Sequence, residues 1–80
     1  MKFDQELLEE MNLLSCYDLD SLQKGIKIHT DAGDEKIQAA KRLFDKGLLS
    51  QNDGGYLTER GHTAVEHLQH LLGVLKQPVV

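Results

Sequence analysis

Four consecutive turn-forming residues constrain the fold of this chain more than any other feature. Residues 52–55 read Asn-Asp-Gly-Gly and separate two short segments, 48–51 and 56–58, that contain leucine and tyrosine. Asparagine, aspartate and glycine adopt the positive φ angles that a tight turn between antiparallel strands requires. The pattern predicts a two-stranded hairpin with only a few residues in each strand.

The segment before the hairpin has a helical pattern. Ile37, Ala40 and Phe44 recur at three- and four-residue spacing, and Gly47 is suited to end a helix. A helix is therefore predicted over residues 34–46.

The segment after the hairpin has the same periodicity over a longer stretch. Residues 59–76 carry leucines and valines at helical spacing. Thr58 is a favourable N-cap, and Pro78 cannot continue a helix. The sequence predicts a C-terminal helix over residues 59–76.

A third helix is predicted at the N-terminus, ending near Ser15. Asp4 is a favourable N-cap, and Leu7, Met11 and Leu14 follow at helical spacing. We expect the acidic residues Glu6, Glu9 and Glu10 to lie on its solvent-facing side.

Residues 16–33 have an ambiguous pattern. Leu19, Leu22 and Ile26 at three- and four-residue steps favour a short helix near residues 19–27. The alternative is a short strand at residues 26–28, where β-branched isoleucines alternate with a lysine.

The apolar positions of these elements define a predicted core. Each member lies on a helical stripe or at an inward strand position. The predicted core residues are Leu7, Leu8, Met11, Leu14, Leu22, Ile37, Ala40, Phe44, Leu48, Leu57, Val65 and Leu68.

Length and composition limit the domain organisation. Eighty residues suffice for one domain, so residues 1–80 are predicted to form a single domain. Contents of 40% hydrophobic and 28% charged residues are those of an ordinary globular protein.

Cys16 is the single cysteine, which excludes an internal disulfide, and it is predicted to be a small buried residue. The acidic start and the lack of a long apolar run predict a cytoplasmic protein without membrane contact.

Two parts of the chain resemble known sequence patterns. Residues 40–49 and 54–61 resemble the end of the recognition helix and the wing of winged-helix proteins. Through residues 25–29, 42–48 and 53–58, the whole chain also resembles a family of small bacterial proteins that has no settled biochemical role and is taken to bind DNA because of its fold. The resemblance implies a winged helix-turn-helix-like fold, mostly α with a small two-stranded hairpin.

This resemblance, together with local charge, predicts a function. The net charge is −4, but residues 21–46 contain six basic residues against four acidic ones. We therefore expect a transcriptional regulator that reads the major groove of double-stranded DNA with helix 34–46. The predicted DNA-contacting residues are Lys24, Lys27, Lys36, Gln38, Lys41, Arg42 and Lys46.

The alternative is a winged-helix protein-interaction module, an adaptor without nucleic-acid contact. Sequence segments of this kind also occur in winged-helix domains that bind only protein. The turn at residues 52–55 contains no arginine or lysine, so it is not predicted to read a minor groove.

The C-terminal helix is predicted to form a homodimer. It carries more apolar residues than a small domain can cover, and these residues follow the spacing of a helix–helix seam. The predicted interface residues are Leu68, Leu71, Leu72, Val74 and Leu75.

The sequence does not predict an enzyme, a cofactor or a metal. It has no glycine-rich phosphate loop and no Ser-His-Asp arrangement. His62, Glu66 and His70 are spaced four residues apart, but the two histidines are too far apart along a helix to bind one ion.

Overall fold

The computed structural model describes residues 3–19 and 25–77. In this part of the chain, three helices pack around a small sheet. In chain order the elements are α1 (Gln5–Leu14), β1 (Ile26–Lys27), α2 (Asp34–Asp45), β2 (Leu49–Gln51), β3 (Gly54–Leu57) and α3 (Glu59–Lys76). The strands are antiparallel in the order β1-β3-β2, so the predicted hairpin forms two strands of a three-stranded sheet.

The three predicted helices are confirmed, with ends that agree to within a residue or two. Local hydrogen bonds account for this agreement. The carboxylate of Asp4 accepts a hydrogen bond from the Leu7 N–H at 2.8 Å, and the Thr58 hydroxyl accepts one from the Gly61 N–H at 3.0 Å. Both side chains satisfy helix N–H groups that would otherwise have no partner.

The short helix predicted near residues 19–27 is wrong at its C-terminal end, where Ile26 and Lys27 form β1. The rest of that prediction falls largely on residues 20–24, which lie outside the described residues. β1 pairs with β3, and Ile26 is opposite Gly55. A Cβ atom at Gly54 would overlap the carbonyl oxygen of Ile26, so this glycine is needed for β1 to approach.

The observed core differs from the predicted one in the orientation of α2. The inward face of α2 carries Ala39, Ala40 and Leu43, whereas Phe44 is 41% exposed. The predicted stripe through Phe44 is therefore wrong by about one residue, because the contacts of α2 with α1 turn Leu43 inward. The buried apolar residues of the described chain are Leu13, Leu14, Tyr17, Ala39, Ala40, Leu43, Leu49 and Val65.

Other core predictions have mixed outcomes. Leu14, Ala40 and Val65 are confirmed as buried. Half-buried positions from the predicted core are Leu7, Met11, Ile37, Leu48, Leu57 and Leu68. Leu8 is 44% exposed, so its assignment to the core is wrong, and Leu22 lies outside the described residues.

The architecture is mostly α with a small antiparallel sheet, and it is compatible with a winged-helix layout. In the described part of the chain, α2 is the one helix between β1 and β2. None of the helices in residues 3–19 and 25–77 combines the length and the apolar content needed to cross a membrane.

Candidate functional site

A buried carboxylate joins α1 to α2. Glu10 is only 5% exposed, although the sequence pattern placed it on the outer side of the first helix. Arg42 donates from Nε to Oε2 of Glu10 at 3.0 Å, and Lys46 pairs with the other carboxylate oxygen. Two cations thus compensate one buried negative charge, as a carboxylate in this position requires.

Arg42 has further acidic neighbours on α1. Its guanidinium lies 3.4 Å from the Glu6 carboxylate and 3.8 Å from the Glu9 carboxylate. It also donates to the backbone carbonyl of Glu6 at 3.3 Å. The guanidinium is therefore held against α1 and is not directed into solvent.

The outward face of α2 carries residues of mixed charge. Asp34, Gln38, Lys41 and Asp45 are exposed and follow one another at four-, three- and four-residue spacing. The Gln38 amide donates to the Asp34 carboxylate at 3.5 Å. Along this line of residues two carboxylates accompany one lysine.

The predicted DNA-contacting residues are therefore divided between different environments. Arg42 and Lys46 pair with α1, while Lys36, Gln38 and Lys41 are exposed on α2 and Lys27 is exposed on β1. Lys24 lies outside the described residues.

A second set of residues lines a groove between three segments, which we call the β1–α2 groove. It lies between the end of β1, the first half of α2 and the turn that joins β2 to β3. The residues that line it are Lys27, Ile28, His29, Thr30, Ile37, Lys41, Asn52 and Asp53. Lys27 and Lys41 both line this groove, although they are 14 positions apart in sequence.

The C-terminal half of α3 has an apolar surface, which we call the α3 strip. Its members are Leu71, Val74 and Leu75, which are 49%, 53% and 69% exposed. Leu68 packs against the core, and Leu72 lines a groove between α1 and α3 that also contains Leu8 and Met11. Of the five predicted interface residues, three are thus exposed and two face inward.

A shallow depression, the α3 hollow, lies near the start of the same helix. Its lining residues are Gly47, Leu48, Thr58, Glu59, Arg60, Thr63, Ala64 and His67. Ala64 precedes Leu71 by seven residues, and His67 precedes it by four, so the hollow and the α3 strip lie on one side of α3.

Tyr17 connects the end of α1 to the sheet and to α3. It is 4% exposed, and its hydroxyl donates to the Gly55 carbonyl at 3.0 Å. Its own carbonyl accepts a hydrogen bond from the Gln69 amide at 3.1 Å. Burial, and secondarily the charge of Cys16, raises the pKa of Tyr17 from 10.0 to about 12. The local sequence does not predict this role, because Gly55 and Gln69 are 38 and 52 positions away.

The remaining reactive side chains do not assemble into a site. Cys16 is exposed, which corrects its predicted burial, and its thiol lies 3.5 Å from the Asn12 carbonyl. His62 lies 3.1 Å from the Glu66 carboxylate. Across residues 3–19 and 25–77, no three histidine, cysteine or acidic side chains are placed to hold one metal ion.

Comparison with known proteins identifies a family. The sequence profile of a family of unknown function (DUF5669) matches residues 1–76, so the chain belongs to that family. This agrees with the resemblance to a small family without a settled role. Searches of the curated proteins and of the solved structures found no match.

Proposed function

We propose that this chain is a protein-interaction module that pairs with a second copy of itself through one side of α3. The observation that carries the proposal is the position of the α3 strip and the α3 hollow at opposite ends of that side. The proposal combines the predicted adaptor function with the predicted homodimer.

A two-fold axis would bring the two features together. Ala64 in the hollow and Leu71 in the strip are seven residues apart, about 10 Å along the helix. When two α3 helices pack antiparallel, the strip of each copy meets the hollow of the other. An interface of this kind uses the same patch twice, as a two-fold dimer requires.

Charges of both signs lie at the ends of α3. Glu59 and Arg60 line the hollow near the start of the helix, and Lys76 is in its last turn. In the antiparallel pair, the start of each helix lies beside the end of the other, where free carbonyl groups give a partial negative charge. Each end of the pair thus combines positive and negative groups, and the position of the strip and the hollow carries the proposal.

The paired cations of α2 support this function over DNA reading. Arg42 and Lys46 are bound to Glu10, and the outward face of α2 includes Asp34 and Asp45. A DNA-reading helix needs its cations free for phosphate and base edges.

Sedimentation equilibrium at micromolar concentration tests the dimer. We expect a species of twice the 9.0 kDa of one chain, and a monomer for the variant Leu71→Glu, Leu75→Glu. Tyr56→Ser, which removes an exposed aromatic residue on β3, is the matched control and should remain dimeric. A monomeric native protein would refute the proposal, and a dimeric Leu71→Glu, Leu75→Glu variant would refute this interface.

DNA reading by α2 is the second candidate function. It is favoured by Lys27, Lys36 and Lys41, which make no ion pair with a carboxylate within the described residues. Electrophoretic mobility with genomic fragments at low and moderate salt tests it. Retardation that weakens steeply with salt supports DNA binding, and no retardation at low salt excludes it.

A further inference from the structure

The β1–α2 groove combines apolar side chains with two lysines. Ile28 and Ile37 are half-buried in the groove, and the exposed side chains of Lys27 and Lys41 lie along it. Asp53 is the carboxylate among its lining residues. The groove therefore presents apolar surface bordered by two lysines and one acid.

Backbone hydrogen bonds fix the walls of this groove. The Ile28 N–H donates to the Asp53 carbonyl at 2.7 Å, which ties the β2–β3 turn to the end of β1. The Ala32 N–H donates to the His29 carbonyl at 3.0 Å, which closes the turn that leads to α2. The groove is thus formed by the fold itself and does not require a bound ligand to assemble its three segments.

The chemistry of the lining groups points to one class of ligand. Lysine ammonium groups bind phosphate oxygens, and a flat ring can pack on the isoleucine side chains. Asn52, Thr30 and Asp53 add hydrogen-bond donors and acceptors. These groups can bind the polar edge of a ring or a sugar hydroxyl.

We infer that the β1–α2 groove binds a phosphate attached to an unstacked nucleobase, either as a free nucleotide or as part of a single strand of nucleic acid. A duplex keeps its bases stacked. Its phosphates could bind the two lysines, but its bases could not pack on Ile28 and Ile37. The groove is separate from the α3 strip and the α3 hollow, so this inference does not depend on the proposed dimer.

The experiment is a titration of the isotope-labelled full chain followed by NMR. The probes are inorganic phosphate, adenosine monophosphate and a short oligothymidylate. We expect the two nucleotide probes to shift the amide signals of residues 27–30, 37, 41 and 52–53. A higher affinity for adenosine monophosphate identifies a free nucleotide as the ligand, and a higher affinity for the oligothymidylate identifies a single strand.

Two double variants test which lysines are responsible. Lys27→Gln, Lys41→Gln should weaken nucleotide binding about tenfold, which corresponds to about 1.4 kcal/mol. Lys36→Gln, Lys76→Gln removes the same charge outside the groove and should change the affinity less than about twofold. An unchanged spectrum of each free variant, apart from shifts near the substitutions, shows that its fold is intact.

Three results would overturn the inference. The first is the absence of shifts with both nucleotide probes. The second is equal affinity of the native protein and the Lys27→Gln, Lys41→Gln variant. The third is saturation of the same amides by inorganic phosphate at the concentrations at which adenosine monophosphate acts, because that shows a simple anion site. The variant Leu71→Glu, Leu75→Glu should bind the nucleotide normally, which separates this result from the outcome for the dimer.

Discussion

The first half of α3 contributes buried residues to the core, whereas the second half exposes apolar side chains. In the first half, Gly61 and Val65 are buried, and just past the middle of the helix Gln69 bonds to Tyr17. In the second half, Leu71 and Leu75 are exposed although they are as apolar as the residues of the core. One helix thus stabilises this domain with its first turns and presents apolar surface with its last turns. Contiguous exposed apolar surface is typical of interaction sites, and the proposed dimer would cover it.

The two glycines of α3 show the same contrast at the level of single atoms. A Cβ at Gly61 would overlap the carbonyl oxygen of Leu48, whereas a Cβ at Gly73 would have no heavy atom within 4 Å. The first glycine permits close packing of α3 on the segment before β2. The second lowers helix stability without any packing benefit in the described structure.

The largest expected effect comes from Gly61→Ala. The added methyl group must displace α3 from the backbone at Leu48, and we expect a loss of about 3 kcal/mol in the free energy of unfolding. Urea denaturation measures this loss. If the variant is as stable as the native protein, the first half of α3 does not pack closely against Leu48 in solution.

The second largest expected effect is a loss of stability at high pH. It tests the burial of Tyr17, which contacts the middle of α3 at Gln69. The pKa of Tyr17 is about 12 in the folded protein and about 10 in the unfolded chain. Between these values the unfolded chain binds fewer protons than the folded protein, so stability falls as the pH rises. The contribution of the neutral Tyr17 side chain to stability is fully present below pH 10. We expect the free energy of unfolding to fall by about 2 kcal/mol by pH 12.

Tyr17→Phe is the control for this pH dependence. It cannot ionise, so its stability should fall less steeply than that of the native protein between pH 10 and 12. Other groups titrate in both proteins and cancel in the difference between the two curves. Equal slopes would show that the hydroxyl of Tyr17 is exposed to solvent in solution.

Local signals made the helices and the hairpin predictable from sequence. Asp4 and Thr58 cap α1 and α3, and residues 52–55 supply the turn and the two glycines with positive φ that begin β3. Each of these signals acts within a few residues, so a single sequence is sufficient to recognise it.

Contacts between distant residues account for what the sequence did not predict. Glu10 is charged, and its burial between Leu7 and Leu14 is explained only by two distant cations. These are Arg42 and Lys46, which lie 32 and 36 positions further along. The choice between Leu43 and Phe44 as the inward residue depends on how α1 packs on α2. A strand at residues 26–28 is one of two alternatives offered by the local pattern, and β1 confirms it at Ile26–Lys27. Its pairing with β3 depends on the distant Gly54, whose lack of a side chain permits the close approach.

The same limit applies to the candidate sites. Seven cationic or polar residues were predicted to contact DNA because they share a basic stretch of sequence. The structure shows that Arg42 and Lys46 balance α1, while Lys27 and Lys41 line a groove. Charge counted along the sequence does not reveal which cations are already paired.

The smallest expected effect, that of Gly73→Ala, shows which side of the second half of α3 meets a partner. Gly73 lines the groove between α1 and α3, whereas Leu71 and Leu75 lie on another side of the helix. Alanine favours helix over glycine, and its methyl group meets no neighbour here, so we expect a gain of about 0.5 to 1 kcal/mol in urea denaturation. The gain should persist in the dimer-deficient variant Leu71→Glu, Leu75→Glu. A loss in the native background that becomes a gain in that variant would mean that the second copy packs into the α1–α3 groove, and the two-fold axis would have to be moved to that side of α3.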